Sequence, residues 1–164
     1  WGIKVKLKFK AFDEMVDIKN LKKSPFQRNK HPKDQIRVLA KIMKEDGVTH
    51  PIHVSNLTGT VCFGHGRLEA AKLNGWDKFP VVFQDFDNED EEYRKVQSDN
   101  GIAMWADLDL AAINKDLEDL GPFDIELLGI EDFAVEPMDK YIKEKEIDEN
   151  LDTKNKCPKC NYEW

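Results

Sequence analysis

The chain has 164 residues, a formal net charge of −7, 40% hydrophobic residues and 35% charged residues. Its length suits one domain with tails, since domains commonly run roughly 100–200 residues, and it can bury a core without covalent staples. The composition excludes collagen-like and membrane classes, no apolar run reaches the ~20 residues of a spanning helix, and the N-terminus shows no secretory h-region.

Three cysteines, an odd number, argue against a disulfide framework and suit a reducing, cytoplasmic setting. The start at Trp1 is consistent with a lost initiator or upstream residues. The net acidity argues against a generic DNA-coating protein. The charge is nevertheless uneven, with basic residues crowding Lys4 to Lys44 and acidic ones dominating from Asp85 onward. Such asymmetry points to an anionic ligand on the basic side. Most of these lysines read as solvated faces, and only Arg28 is assigned to a ligand.

Ile3, Val5, Leu7 and Phe9 alternate with lysines, the period-two pattern of a half-buried strand over 3–9, with lysines guarding an edge. A second strand is expected at Met15–Ile18, followed by an irregular loop over Lys23–Asn29. Asp34 opens a helix in which Ile36, Leu39, Ala40 and Met43 recur at helical spacing, and Gly47 stops it. Pro51–Ser55 and Val61–Phe63 read as a hairpin around Asn56–Gly59. Gly64-His65-Gly66 reads as a tight loop before a helix from Arg67 to Asn74, ended by Gly75. Phe79–Phe83 is a buried strand. The acidic run Asp85–Glu92 starts a helix towards Met104, because carboxylates favour the positive end of the dipole. Another helix spans Leu108–Leu120, and Phe123–Phe133 packs back by its apolar content. Lys140–Lys156 reads as a flexible charged linker. Trp76, Trp105 and Phe79 read as core packing, Cys62 as a small core residue, and His50 and His53 as satisfied or exposed.

The stretch that carries chemistry is strand–Gly64-His65-Gly66-Arg67–helix. A glycine turn entering a helix presents backbone N–H groups and a positive dipole end, which suits a phosphate. The guanidinium of Arg67 matches phosphate oxygens bidentately. His65 has the chemistry of a donor or an acid/base near neutral pH. The spacing matches neither a Walker A loop nor a dinucleotide fingerprint. A tight turn that serves only packing is the alternative.

The order of elements from Val16 to about Asn100 resembles the ParB/sulfiredoxin superfamily, the ParB N-terminal domain in particular. The resemblance rests on Pro25 and Arg28, Leu39-Ala40, Pro51-Ile52-His53-Val54, Gly64-His65-Gly66-Arg67-Leu68-Glu69-Ala70, Gly75, Pro80-Val81-Val82 and Asp99-Asn100, in family order and spacing. With its short helical tail and terminal Cys-x-x-Cys, the sequence looks most like phage-encoded ParB-like proteins. The resemblance implies an α/β (α+β) fold, a small mixed sheet with flanking helices and a C-terminal helical extension. The implied boundaries are 1–104 for a nucleotide-binding domain, 105–136 for the extension packed on it, 137–156 for a linker and 157–164 for a tail.

Carried over by position, Gly64, His65, Gly66 and Arg67 hold phosphate, Arg28 approaches from the facing loop, and Asp99 and Asn100 sit near metal or phosphate. The implied ligand is a nucleoside triphosphate with Mg²⁺. Where ParB clamps have Glu-Arg, this chain has His65-Gly66, and Ala103 stands where they have an arginine. His65 also replaces the catalytic cysteine of sulfiredoxins, so that chemistry is not expected. Cys157-Pro-Lys-Cys160 resembles one knuckle of a zinc ribbon. Zinc there needs further ligands, from a second copy or from histidines; an unmetallated tail, or one that binds a protein partner, is the alternative.

Three readings follow. The first is a nucleotide-binding, DNA-associated protein acting in partition, packaging or modification. The second is a small nucleoside triphosphatase or phosphotransferase with His65 or Asp99 as acid/base and Arg67 as clamp. The third is a non-catalytic adaptor.

Overall fold

A computed structural model describes residues 5–120, 124–131, 133 and 158–160. Strands β1 (Glu14–Asp17), β2 (Lys22–Lys23), β3 (Ile52–Ser55), β4 (Thr60–Phe63) and β5 (Lys78–Gln84) form one sheet in the order β1-β5-β3-β4-β2. β1 pairs antiparallel with β5, β5 parallel with β3, β3 antiparallel with β4, and β4 parallel with β2. The helices are α1 (Lys33–Glu45), α2 (His65–Leu73), α3 (Glu89–Ala103) and α4 (Leu110–Asp119). This is the mixed α/β architecture expected from the sequence.

The core lies where α1 and α2 pack together on the sheet. Ile52 and Val54 of β3, Phe79 and Val81 of β5, Ala40 and Met43 of α1, and Leu68, Ala70 and Ala71 of α2 are all buried there. Period two in β3 and β5 aims every other side chain at these helices. Trp76 stacks on Phe79 with ring centroids 6.0 Å apart. Glu92 and Val96 of α3 are fully buried outside this cluster. The Glu92 carboxylate accepts from Ser55 Oγ (2.8 Å) and Thr58 Oγ1 (3.0 Å). A buried charge tolerates such a position only with hydrogen-bond partners, and these two tie α3 to the β3–β4 turn.

Two expectations need correction, and two features add to what the sequence foretells. The strand over 3–9 is a single parallel bridge, Leu7 to Val48, within the described residues. Val5, Leu7 and Phe9 do face the core, but Val48 lies between Gly47, at φ 100°, and the nearby Pro51, which lacks an N–H. Too little extended backbone is left there for a longer ladder. The short β2 is not foreshadowed in the sequence, because two lysines carry no periodicity; the pairing with Thr60 and Val61 creates it. Trp105 is 84% exposed rather than core. The segment after α3 turns away from the sheet, and residues 101–110 are all exposed. Finally, the return of the chain onto α1 through the 3-10 turn Ile125–Leu128 relies on ion pairs as well as apolar contact. Glu126 meets Arg37 (2.7 Å) and Lys41 (2.6 Å), and Asp124 also pairs with Lys41. Phe123 lies outside the described residues.

The chain divides into two units, Trp1–Phe133 and Ala134–Trp164. In the second, residues 158–160 form a turn. The expected linker at 140–156 and Cys157 lie outside the described residues, and Cys160 is exposed. Among the described residues no helix is long and apolar enough to cross a membrane.

Candidate phosphate-binding site

The strand–glycine–helix motif folds with one difference from expectation. Only Gly64 forms the turn, and His65 and Gly66 already belong to α2. Gly64 is left-handed (φ 95°, ψ 28°), a conformation that side chains resist. Its missing Cβ matters twice, because a Cβ there would lie 2.8 Å from Arg67 Nη2. The Arg67 guanidinium therefore folds over the glycine. The first helical bond runs from the Leu68 N–H to the Gly64 carbonyl at 3.0 Å. The amides of His65, Gly66 and Arg67 consequently have no intrahelical acceptor, and they add to the positive end of the helix.

These residues line a cavity of about 410 Å³. Gly64, His65, Gly66 and Arg67 form one wall, α1 contributes Gln35, Leu39 and Met43, and Asp99 and Asn100 close it from α3. Distant parts of the sequence thus meet, as the ordered motifs imply. Arg67 Nε is buried without a hydrogen-bond partner. Burial disfavours the Arg67 charge, and nearby Asp99 counters that loss. Asn100 Nδ2 donates to the Val96 carbonyl at 2.9 Å, which leaves its oxygen and one N–H without a use in that bond. Burial raises the Cys62 thiol to about 12, with Glu92 adding to the effect, so it stays protonated, as suits its core placement.

Two residues sit in settings that local sequence does not foretell. His65 is buried, and its Nε2 accepts from the Ser24 backbone N–H at 3.4 Å. Burial, with the charges of His31 and Lys23, pushes its imidazole down to about 4. It is neutral at pH 7 and holds the 24–28 loop instead of offering a readily exchanged proton. Arg28 is exposed, and its Nη1 donates to the carbonyls of its own loop at Pro25 (2.6 Å) and Gln27 (3.1 Å). It does not line the cavity.

The loop is instead fastened from α3. Gln97 Nε2 donates to the Phe26 carbonyl at 2.7 Å, and Phe26 meets Tyr93 edge-on at 5.6 Å. Nothing in the local pattern singles out Gln97; only its helical offset from Tyr93, four residues, carries a signal. His53 is a second residue whose setting the pattern hides. Its Nδ1 is buried without a partner, its ring meets Phe63 at 5.8 Å, and burial together with the Arg67 charge lowers its pKa. Among the described residues no group of three His, Cys, Asp or Glu side chains could hold a metal ion.

The chain matches the model of the ParB N-terminal domain over residues 6–99. Among solved structures it is similar to the C-terminally truncated chromosome-partitioning protein ParB from Caulobacter crescentus complexed with CTP-gamma-S. That likeness has 20% identity and a TM-score of 0.54, and it covers 64% of this chain and 60% of that one. The chain thus spans about 60% of the length of that ParB structure. The same Caulobacter protein complexed to the centromeric parS site is similar at 20% identity and TM-score 0.42, covering 63% of this chain and 50% of that one. Sulfiredoxin from Arabidopsis thaliana is similar at 16% identity and TM-score 0.41, covering 51% of this chain and 94% of that one. No curated protein matches in sequence. With the matched region taking in more than half of its residues, the chain belongs to the ParB N-terminal domain family.

Proposed function

We propose that this domain binds a nucleoside triphosphate, its phosphates seated on the Gly64–Arg67 turn, as a ParB-like, DNA-associated protein. The observation that carries the reading is the buried, unpartnered Nε of Arg67 beside the free amides that open α2. Buried donors of this kind are costly unless a ligand takes them up. A phosphate oxygen supplies the acceptor, and each charge-assisted bond contributes about 1.5–3 kcal/mol. That the similar Caulobacter crescentus structure holds CTP-gamma-S supports a ligand of this class.

Asn100 lines the same cavity, and Asp99 is the one carboxylate lining it among the described residues. A Mg²⁺ ion would arrive on the triphosphate and neutralise its charge, and Asp99 is the carboxylate that would meet it. Arg28 joins the phosphates only if its loop bonds to Pro25 and Gln27 are exchanged. In the phosphoryl-transfer reading Asp99 takes the acid/base role, because burial makes the His65 imidazole a weak base and its Nε2 already accepts from the Ser24 N–H. Zinc at Cys157 and Cys160, shared with a second copy, stays a proposal for metal analysis of the intact chain.

Calorimetry with CTP, ATP and GTP plus Mg²⁺ tests the site. Wild-type protein is expected to bind at least one of them, and Arg67→Ala is expected to weaken binding at least tenfold while remaining folded. Failure of all three nucleotides to bind the folded wild type overturns the reading and favours the adaptor.

A further inference from the structure

Beside the phosphate cavity lies a second, larger groove of about 910 Å³, and the two share Gln27, His31 and His65 along their common wall. Its charge runs against the acidity of the whole chain. Lys23, Lys30, Lys33, Arg37 and Lys72 line it, against only Asp34 and Glu69. Glu69 is shared by Lys23 at 3.2 Å and Lys72 at 3.1 Å. Arg37 is engaged by Glu126 and, at 3.8 Å, by Asp34. Lys30 and Lys33 have no ion pair among the described residues, so their charges face the groove uncompensated.

We propose that this groove seats the phosphate backbone of duplex nucleic acid, with Lys30 and Lys33 as its main cationic contacts. The inference rests on the DNA-associated reading above and assigns it a surface. Three features favour a backbone over other anions. The cations come from four segments of the chain, β2, the loop before α1, α1 and α2, so a ligand that carries a phosphate at each of several positions can meet more than one of them. The two free charges are lysines, point charges on flexible stems that meet successive backbone phosphates without fixing one orientation. No Phe, Tyr or Trp lines the groove, so it lacks the stacking platform that single strands use. Contacts of this type position a duplex without reading its sequence.

The sequence assigns only Arg28 to a ligand among the basic residues from Lys4 to Lys44, and the groove adds two of their number. Arg28 is engaged by its own loop, and the neighbouring Lys30 and Lys33 carry the free charge.

The test measures binding of a fluorescent duplex of arbitrary sequence to the full chain by anisotropy, across a salt series. It compares wild type, Lys30→Gln/Lys33→Gln, and Lys19→Gln/Lys44→Gln as a control pair of exposed lysines outside the groove. The expected result is wild-type binding whose log–log salt slope shrinks by about 1.8 in the groove variant, roughly 0.9 for each phosphate that is no longer neutralised. The control pair keeps the wild-type slope. An equal reduction in the control pair, or wild-type binding with an unchanged slope in the groove variant, overturns the groove and leaves DNA association standing. No wild-type binding at low salt removes the DNA-associated reading and the groove with it, while calorimetric nucleotide binding is judged separately. Polyglutamate that binds as tightly with the same dependence on Lys30 and Lys33 overturns nucleic acid in favour of an acidic protein.

Discussion

The sheet with α1 and α2, and the stretch from the end of α3 through α4, are built on opposite terms. In the first, Leu68, Ala70, Phe79 and Val81 are fully buried. In the second, Met104 is 82% and Trp105 84% exposed, and Ile102, Leu108 and Leu110 are exposed as well. Both regions are rich in apolar residues, yet only one of them removes those residues from water. Composition therefore does not distinguish a core from a surface; what a segment packs against does. The candidate site draws on both regions in a particular way. Gly64–Arg67 is rooted in the packed region, and Asp99 and Asn100 reach it from the last turns of α3 before the chain leaves the sheet.

The contrast predicts a graded set of effects. Phe79→Ala should cost the most, about 3–5 kcal/mol by the measure of large-to-small core changes, read as a lower midpoint in urea unfolding. A change under about 1 kcal/mol would mean that the packed region is less cooperative than its burial implies.

Acidification should come next. The His65 imidazole sits near 4 when folded and near 6.5 when free, so the unfolded chain binds the extra proton between those values. Stability is then full above pH 6.5 and falls as the pH drops towards 4. The largest decrease is about 3 kcal/mol at roughly 1.4 kcal/mol per unit. Unfolding midpoints across pH 4–8 should show this slope, and His65→Gln should flatten it. An unchanged slope in that variant would assign the dependence to another group.

Gly64→Ala should cost about 1–2 kcal/mol for left-handed backbone. The new Cβ would also displace the Arg67 guanidinium, so nucleotide affinity should drop more than stability. Equal drops would place Gly64 in folding alone. The smallest effect belongs to the other region: Trp105→Ala should change stability by less than about 0.5 kcal/mol. The same change should reduce the solvent-exposed part of the tryptophan fluorescence and leave the buried Trp76 signal. A larger destabilisation would show that a partner, such as a second copy, covers this face in solution.

Much of the fold is legible in the sequence, because local physics writes it. The helix α1 follows from Ile36, Leu39, Ala40 and Met43 at helical spacing, and β3 and β5 follow from short apolar runs between turn residues. The start of α3 also follows from its acidic run, where Asn88 caps the helix by accepting from the Glu91 N–H at 2.9 Å. Gly64 and Arg67 stand out because a glycine turn that enters a helix and is followed by an arginine suits an anion, and the motifs in order around it set it apart from a turn that only packs. The failures have a common cause. The 3–9 strand and the core role of Trp105 each depend on a partner that the pattern does not name, as does the loop position of Arg28. Val48 offers too short a ladder, no element covers Trp105 among the described residues, and the carbonyls of Pro25 and Gln27 claim Arg28 first.

The sequence by itself determined most of the helices and strands, their order and the glycine turn before α2, since periodicity, caps and glycine conformations act over a few residues. Tertiary structure alone decided which charges are free. Lys30 and Lys33 differ from Lys23 and Arg37 only in what lies opposite them, Glu69 and Glu126 having been claimed across the fold. It also made His65 a neutral, buried anchor, because burial is a property of the surroundings and not of the imidazole.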